Sequence, residues 1–229
     1  MNTIKNLRID LLLIFLLTST LMGMAVMNII SFIFSIIVLF LILKNNDFEY
    51  FKQNWLWFLG LFYVIIILST LASEYRNEIF LKNLGLIRFF ILALCVQYCL
   101  KKYQNENLFL YTIVLITTFL AIDSLVQYLF GVNLFGNNIS AEHISRRRLT
   151  SVFGDEEIVG SFLIKFVGLG LIGFFLLSKK NTSITYIYYG FISFIILVSQ
   201  ERMAFILLLF QLFLIFCFLL WRKKFKQTF

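Results

Sequence analysis

Proline is absent from this 229-residue chain, histidine occurs once, and cysteine three times. Each scarcity removes a class of chemistry. Without proline no Pro-kinked helix is available. With His143 as the single imidazole, a His-based metal triad or a two-histidine HExxH site is excluded. Cys95, Cys99 and Cys217 all fall inside apolar runs without CxxC spacing, so they read as small packing residues rather than a disulfide or a metal site. Charge is scarce too: Asp, Glu, Lys and Arg make up 14% of the residues, well under the roughly 25% of soluble domains. There is no P-loop, GxSxG or DxD pair, which disfavours nucleotide-dependent and metal-dependent reactions.

What replaces the charge is apolar: 61% of the residues are hydrophobic and 29 are phenylalanine. The bilayer is the solvent this composition suits, and a hydrocarbon core of about 30 Å asks for about 20 residues per helix. Ile9 to Leu43 is one apolar-dominated stretch, which as a single helix would reach about 52 Å, too long for one span. It is expected to fold as a short helical hairpin over 9–43, turning near Gly23 to Asn28. Further spans are expected at 55–72, 84–100, 108–130, 158–177, 184–198 and 203–221. The expected fold class is therefore all-α: a polytopic integral membrane bundle of about eight transmembrane helices, forming a single transmembrane domain over 1–229.

The net charge of +8 sits in short loops beside apolar segments, where lysine and arginine set topology and touch lipid headgroups rather than nucleic acid. Alternating the loops collects Lys5, Arg8, Lys44, Lys52, Lys101, Lys102, Lys179, Lys180, Arg222, Lys223, Lys224 and Lys226 on one side. That side is expected to be cytoplasmic and to hold both termini. The opposite side then holds 73–83, the polar loop 131–157 and 199–202. The Arg146, Arg147, Arg148 run lies on that outer side, against the positive-inside tendency, and a bound anion would offset it.

Ionisable groups inside spans are costly and turn towards a bundle interior or a watery cavity. Arg88, Asp123, Lys165, Glu201 and Arg202 all map to the outer half, with Gln127 on the face of Asp123 at i+4. Asp123 either pairs with Arg88 or Lys165 to hold helices together or faces a ligand. Glu201 and Arg202 either form a solvated turn or join it, and Arg146 and Arg147 either meet headgroups or grip the anion. Asp155, Glu156 and Glu157 open a helix and suit its dipole; His143 reads as a loop residue. Arginine forks bind phosphate oxygens in pairs, so an outer cavity rich in arginine beside apolar helices suits a lipid phosphate or pyrophosphate. Gly168, Gly170 and Gly173 give one helix a close-packing surface.

Three segments occur in order: AIDSLVQYLFGVNLFG (121–136), RLTSVFGDEEIVGSFL (148–163) and SQERMAFILLLF (199–210). Together they resemble the O-antigen ligase and O-antigen polymerase family of bacterial envelope enzymes. The resemblance implies metal-independent and cofactor-independent glycosyl transfer at the periplasmic face of the inner membrane, with 131–157 as a periplasmic loop. The donor would be an undecaprenyl pyrophosphate-linked glycan, the acceptor a lipid A core or a growing polysaccharide. Arg148 and Arg202 match the arginines that would hold the pyrophosphate, with Arg146, Arg147, Arg88, Lys165, Asp123, Gln127 and Glu201 lining the substrate site. The family's periplasmic loop with its histidine follows the helix that begins near Arg202, and this chain ends at Phe229. No catalytic residue is therefore assigned, and a separate C-terminal half is an expected partner. The competing reading is a transporter or flippase for an anionic or lipid-linked solute, with Asp123 and Lys165 as an ion relay.

Overall fold

The computed structural model describes residues 2–73, 76–104, 106–138, 148–154, 156–178 and 181–227. His143, Arg146, Arg147 and Asp155 lie outside the described residues. Every regular element among the described residues is helical: α1 (Asn2–Ser19), α2 (Met24–Lys44), α3 (Asn54–Leu71), α4 (Arg76–Leu84), α5 (Ile87–Tyr103), α6 (Glu106–Phe130), α7 (Val159–Leu177), α8 (Thr182–Val198) and α9 (Arg202–Gln227), with single 3-10 turns at Phe48–Lys52 and Ser151–Phe153. Among the described residues five segments are long and apolar enough to cross a membrane: Ala25–Lys44, Asn54–Leu71, Glu78–Tyr103, Glu106–Phe130 and Val159–Leu177. This is an all-helical chain compatible with a membrane bundle. The outward face of α3 carries the same message, because Trp57, Phe58, Leu61, Ile65 and Leu68 are all exposed, a surface suited to lipid rather than water.

The chain divides into two compact units, 1–109 and 110–229. In the first, the expected hairpin forms from α1 and α2. Its turn falls slightly earlier than expected, at 20–23, where Gly23 takes φ 91°, a conformation open to glycine at little cost. The hydroxyls of Thr18, Ser19 and Thr20 donate back to the carbonyls of Ile14, Leu16 and Leu17, satisfying acceptors that an apolar surrounding would otherwise leave bare. The core repeats at helical spacing: Ile9, Leu13 and Leu16 from α1, Phe34, Val38 and Ile42 from α2, and Leu94, Cys95, Tyr98 and Cys99 from α5. Cys95 and Cys99 pack as expected, whereas Cys217 is exposed.

Residues 73–83, expected as a loop, contribute most of α4 instead. The helix is held against α3 by Asn83 Nδ2 donating to Thr70 Oγ1 at 2.6 Å and by Tyr63 Oη donating to the Leu84 carbonyl at 2.9 Å. Between α2 and α3, Asp47 receives Lys102 Nζ at 2.7 and 3.0 Å and Tyr98 Oη at 2.8 Å. The lysine, and then the tyrosine hydroxyl, hold the carboxyl below its ordinary value of 3.8. A depressed carboxyl stabilises the folded state above its unfolded value and loses that contribution as pH falls through the folded one. Acid titration of the folded protein should therefore show a loss of thermal stability below about pH 3.8 that is smaller in Asp47→Asn.

In the second unit α7 is the hub, packing on both α8 and α9. Its glycines mark the close approaches. A Cβ on Gly173 would meet the Leu110 carbonyl oxygen at 2.8 Å and Val114 Cγ2 at 2.9 Å, and one on Gly170 would meet Tyr188 Oη at 3.2 Å. Because the obstacle at Gly173 is α6 backbone, Gly173→Ala should cost about 1–3 kcal/mol by overpacking. Gly190→Ala meets nothing within 4 Å and should leave the melting temperature unchanged; equal melting of the two variants in detergent would contradict this packing.

Candidate anion site at the start of α7

The second unit alternates in direction, so the end of α6, the start of α7 and the α8–α9 junction meet at one end. Two polar constructions tie them together. The first holds the segment that leads into α7. Leu149, Thr150 and Ser151 are buried, and their backbone would be unsatisfied without partners. Gln127 on α6 supplies them: its Oε1 accepts from Thr150 N at 3.0 Å and Ser151 N at 2.8 Å, and its Nε2 donates to Thr150 Oγ1 at 3.1 Å. Asn133 donates to the Ser151 carbonyl at 2.7 Å while its own Oδ1 accepts from Phe135 N and Asn137 N.

Asp123 completes this set. It is fully buried, and its carboxylate accepts from Leu134 N at 2.9 Å, from the Ser151 hydroxyl, and from Asn133 Nδ2 at 3.5 Å. Its described hydrogen-bond partners are neutral groups, and the expected pairing with Lys165 is not among them. Several converging hydrogen-bond donors are what a buried carboxyl group requires. Lys165 is exposed on α7, and Arg88 belongs to the first unit, exposed, with its guanidinium 4.8 Å from the Phe89 ring centroid.

The second construction joins α9 to α7. Ile158, the residue before α7, offers no side-chain cap. Glu201 does that work from a distance: its Oε1 accepts from Gly160 N at 2.5 Å, its Oε2 from Ser161 N at 2.9 Å and from the Ser161 hydroxyl. A carboxylate there meets the positive end of the helix dipole as well as the orphan N–H groups. Gly160 makes the approach possible, since a Cβ would fall against Ser199 Oγ, Ala204 Cβ at 3.0 Å and Glu201 Oε1 at 3.2 Å.

Two arginines flank these constructions. Arg148 Nη1 lies 2.5 Å from Glu157 Oε2, with the arginine side chain 30% exposed. Arg202 adjoins Glu201, is exposed, and is the first residue of α9, a placement the helix dipole penalises for a cation. Glu157 and Ser161 are four residues apart, at most about 14 Å even if fully extended, so Arg148, paired with Glu157, and Glu201, the residue before Arg202, are both tied to one short stretch of chain. Of the expected site, then, Arg148, Arg202, Glu201, Asp123 and Gln127 converge on this end of the unit. Asn133, Thr150, Ser151 and Ser161 join it without having been anticipated.

Comparison with models of known protein families, with curated proteins and with solved structures finds no match for this chain. Fold and site together define a helical chain of membrane-span type with a polar, arginine-flanked device at one end of its second unit.

Proposed function

We propose that this chain is an O-antigen ligase-like protein of the bacterial inner membrane, holding the pyrophosphate of an undecaprenyl-linked glycan at the periplasmic face for transfer to a lipid A core or a growing polysaccharide. One observation carries the reading: Arg148 and Glu201, the residue next to Arg202, come from segments far apart in sequence and are both tied to the start of α7, and Arg202 occupies a helix position that the dipole disfavours for a cation. Two planar forks suit a diphosphate better than a single charge does. Fixed guanidinium groups would also stabilise the charge that develops on the leaving pyrophosphate, without a metal. The order of the three sequence segments supports the same assignment.

Binding to protein in nanodiscs separates this reading from a general affinity for anionic lipid. Undecaprenyl pyrophosphate should bind at least about tenfold more tightly than undecaprenyl monophosphate, a difference of about 1.4 kcal/mol. Equal affinity for the two lipids would contradict a two-arginine grip, and directional flux of either lipid across proteoliposomes would favour a flippase instead.

A further inference from the structure

Gln127, Asp123 and Asn133 present no outward surface. Asp123, Gln127 and Ser151 have no exposed area, and Asn133 is 5% exposed. Every one of their described polar contacts in this region runs to the chain around the turn at 150–151 or to the 133–137 loop that supports it. Ser151 at the centre of that turn has φ 50°, a left-handed conformation that an L-residue other than glycine adopts only when its surroundings impose it. Its N–H, carbonyl and hydroxyl are each claimed by a different side chain: Gln127, Asn133 and Asp123 respectively. A surface loop has no need of so complete a set.

We infer that Asp123, Gln127 and Asn133 are positioning residues, which fix the left-handed turn at Ser151 and so aim Arg148, three positions earlier, at an oxyanion. The inference rests on the pyrophosphate reading and adds to it the reason a membrane helix carries a buried carboxylate and amide one turn apart. Both side chains reach the turn from the same face of α6, at i and i+4. Leu149, fully buried between the turn and Arg148, transmits the constraint: with its side chain held in the interior and residue 150 fixed by Gln127, the exit direction of residue 148 is set. Preorganisation of this kind raises affinity by removing the ordering cost that a free arginine would bear on binding.

A double-mutant cycle on the full chain in nanodiscs, with undecaprenyl pyrophosphate as the probe, tests the coupling. Arg148→Ala and Gln127→Met should each weaken binding about tenfold, and the double variant should bind no more weakly than Arg148→Ala alone. A Gln127 that merely supported the fold would reduce the competent fraction in both backgrounds, and the losses would multiply to about a hundredfold. That result, or unchanged binding in Gln127→Met, would overturn the inference. Asp123→Asn preserves size and one acceptor oxygen, and gives a second cycle if Gln127→Met does not fold; it should show the same non-additivity with a smaller loss. Unchanged binding in Arg148→Ala is a different outcome: it would remove the pyrophosphate reading itself, and this inference with it.

Discussion

Glu201→Ala is expected to lower the melting temperature by about 4–16 °C. Three donors at the start of α7 converge on this one carboxylate: Gly160 N, Ser161 N and the Ser161 hydroxyl. Hydrogen bonds to a charged group are worth about 1.5–3 kcal/mol each. Water can reach part of this half-buried site and replace some of them, so a net loss of about 2–4 kcal/mol is reasonable, at about 2–4 °C per kcal/mol for a chain of this size. The N-cap residue itself cannot take over, because Ile158 has no polar side chain to cap the helix. Glu201→Gln keeps one acceptor oxygen but turns an amide NH2 towards donors, and should lose roughly half as much. Differential scanning fluorimetry in detergent checks both. Native-like melting of Glu201→Ala would mean that α7 starts without this cap and that the α8–α9 junction is held by something else.

The same carboxylate illustrates what was legible in the sequence. That 199–202 is a junction between two apolar segments followed from the pattern alone. Its contact with Gly160 and Ser161, about 40 positions earlier, did not, because backbone N–H groups leave no residue-type signature. Asp123 fails in the same way. Its spacing from Gln127 put both on one face of a helix, as they are, but a buried carboxylate invites a search for lysine or arginine, and the actual partners are a serine hydroxyl, an asparagine amide and a backbone N–H. Those polar groups are common in any loop.

The α1–α2 hairpin was legible because a bilayer sets a length that Ile9 to Leu43 exceeds. Helix α4 was not. At nine residues with charges at Arg76, Glu78 and Lys82, it looks like an ordinary polar connection, and it takes the bonds that Asn83 and Leu84 make with α3 to show its place. Glu157 was read as a dipole partner of the helix it precedes, and it also engages Arg148, a pairing between two positions of one loop that periodicity does not encode.

The central claim is that Arg148 and Arg202 grip one pyrophosphate, and the most direct measurement is the affinity of undecaprenyl pyrophosphate for four proteins in matched nanodiscs: native, Arg148→Ala, Arg202→Ala and the double variant. Arg148 must exchange Glu157 for the ligand, while Arg202 is exposed and ready. Each guanidinium forms charge-assisted hydrogen bonds to phosphate oxygens, so each single loss should weaken binding about tenfold, and the double loss about a hundredfold, or 2.7 kcal/mol, roughly. Lysine at either position keeps the charge without the planar fork and should recover only part of the affinity. Binding by the double variant at the native affinity would contradict the account.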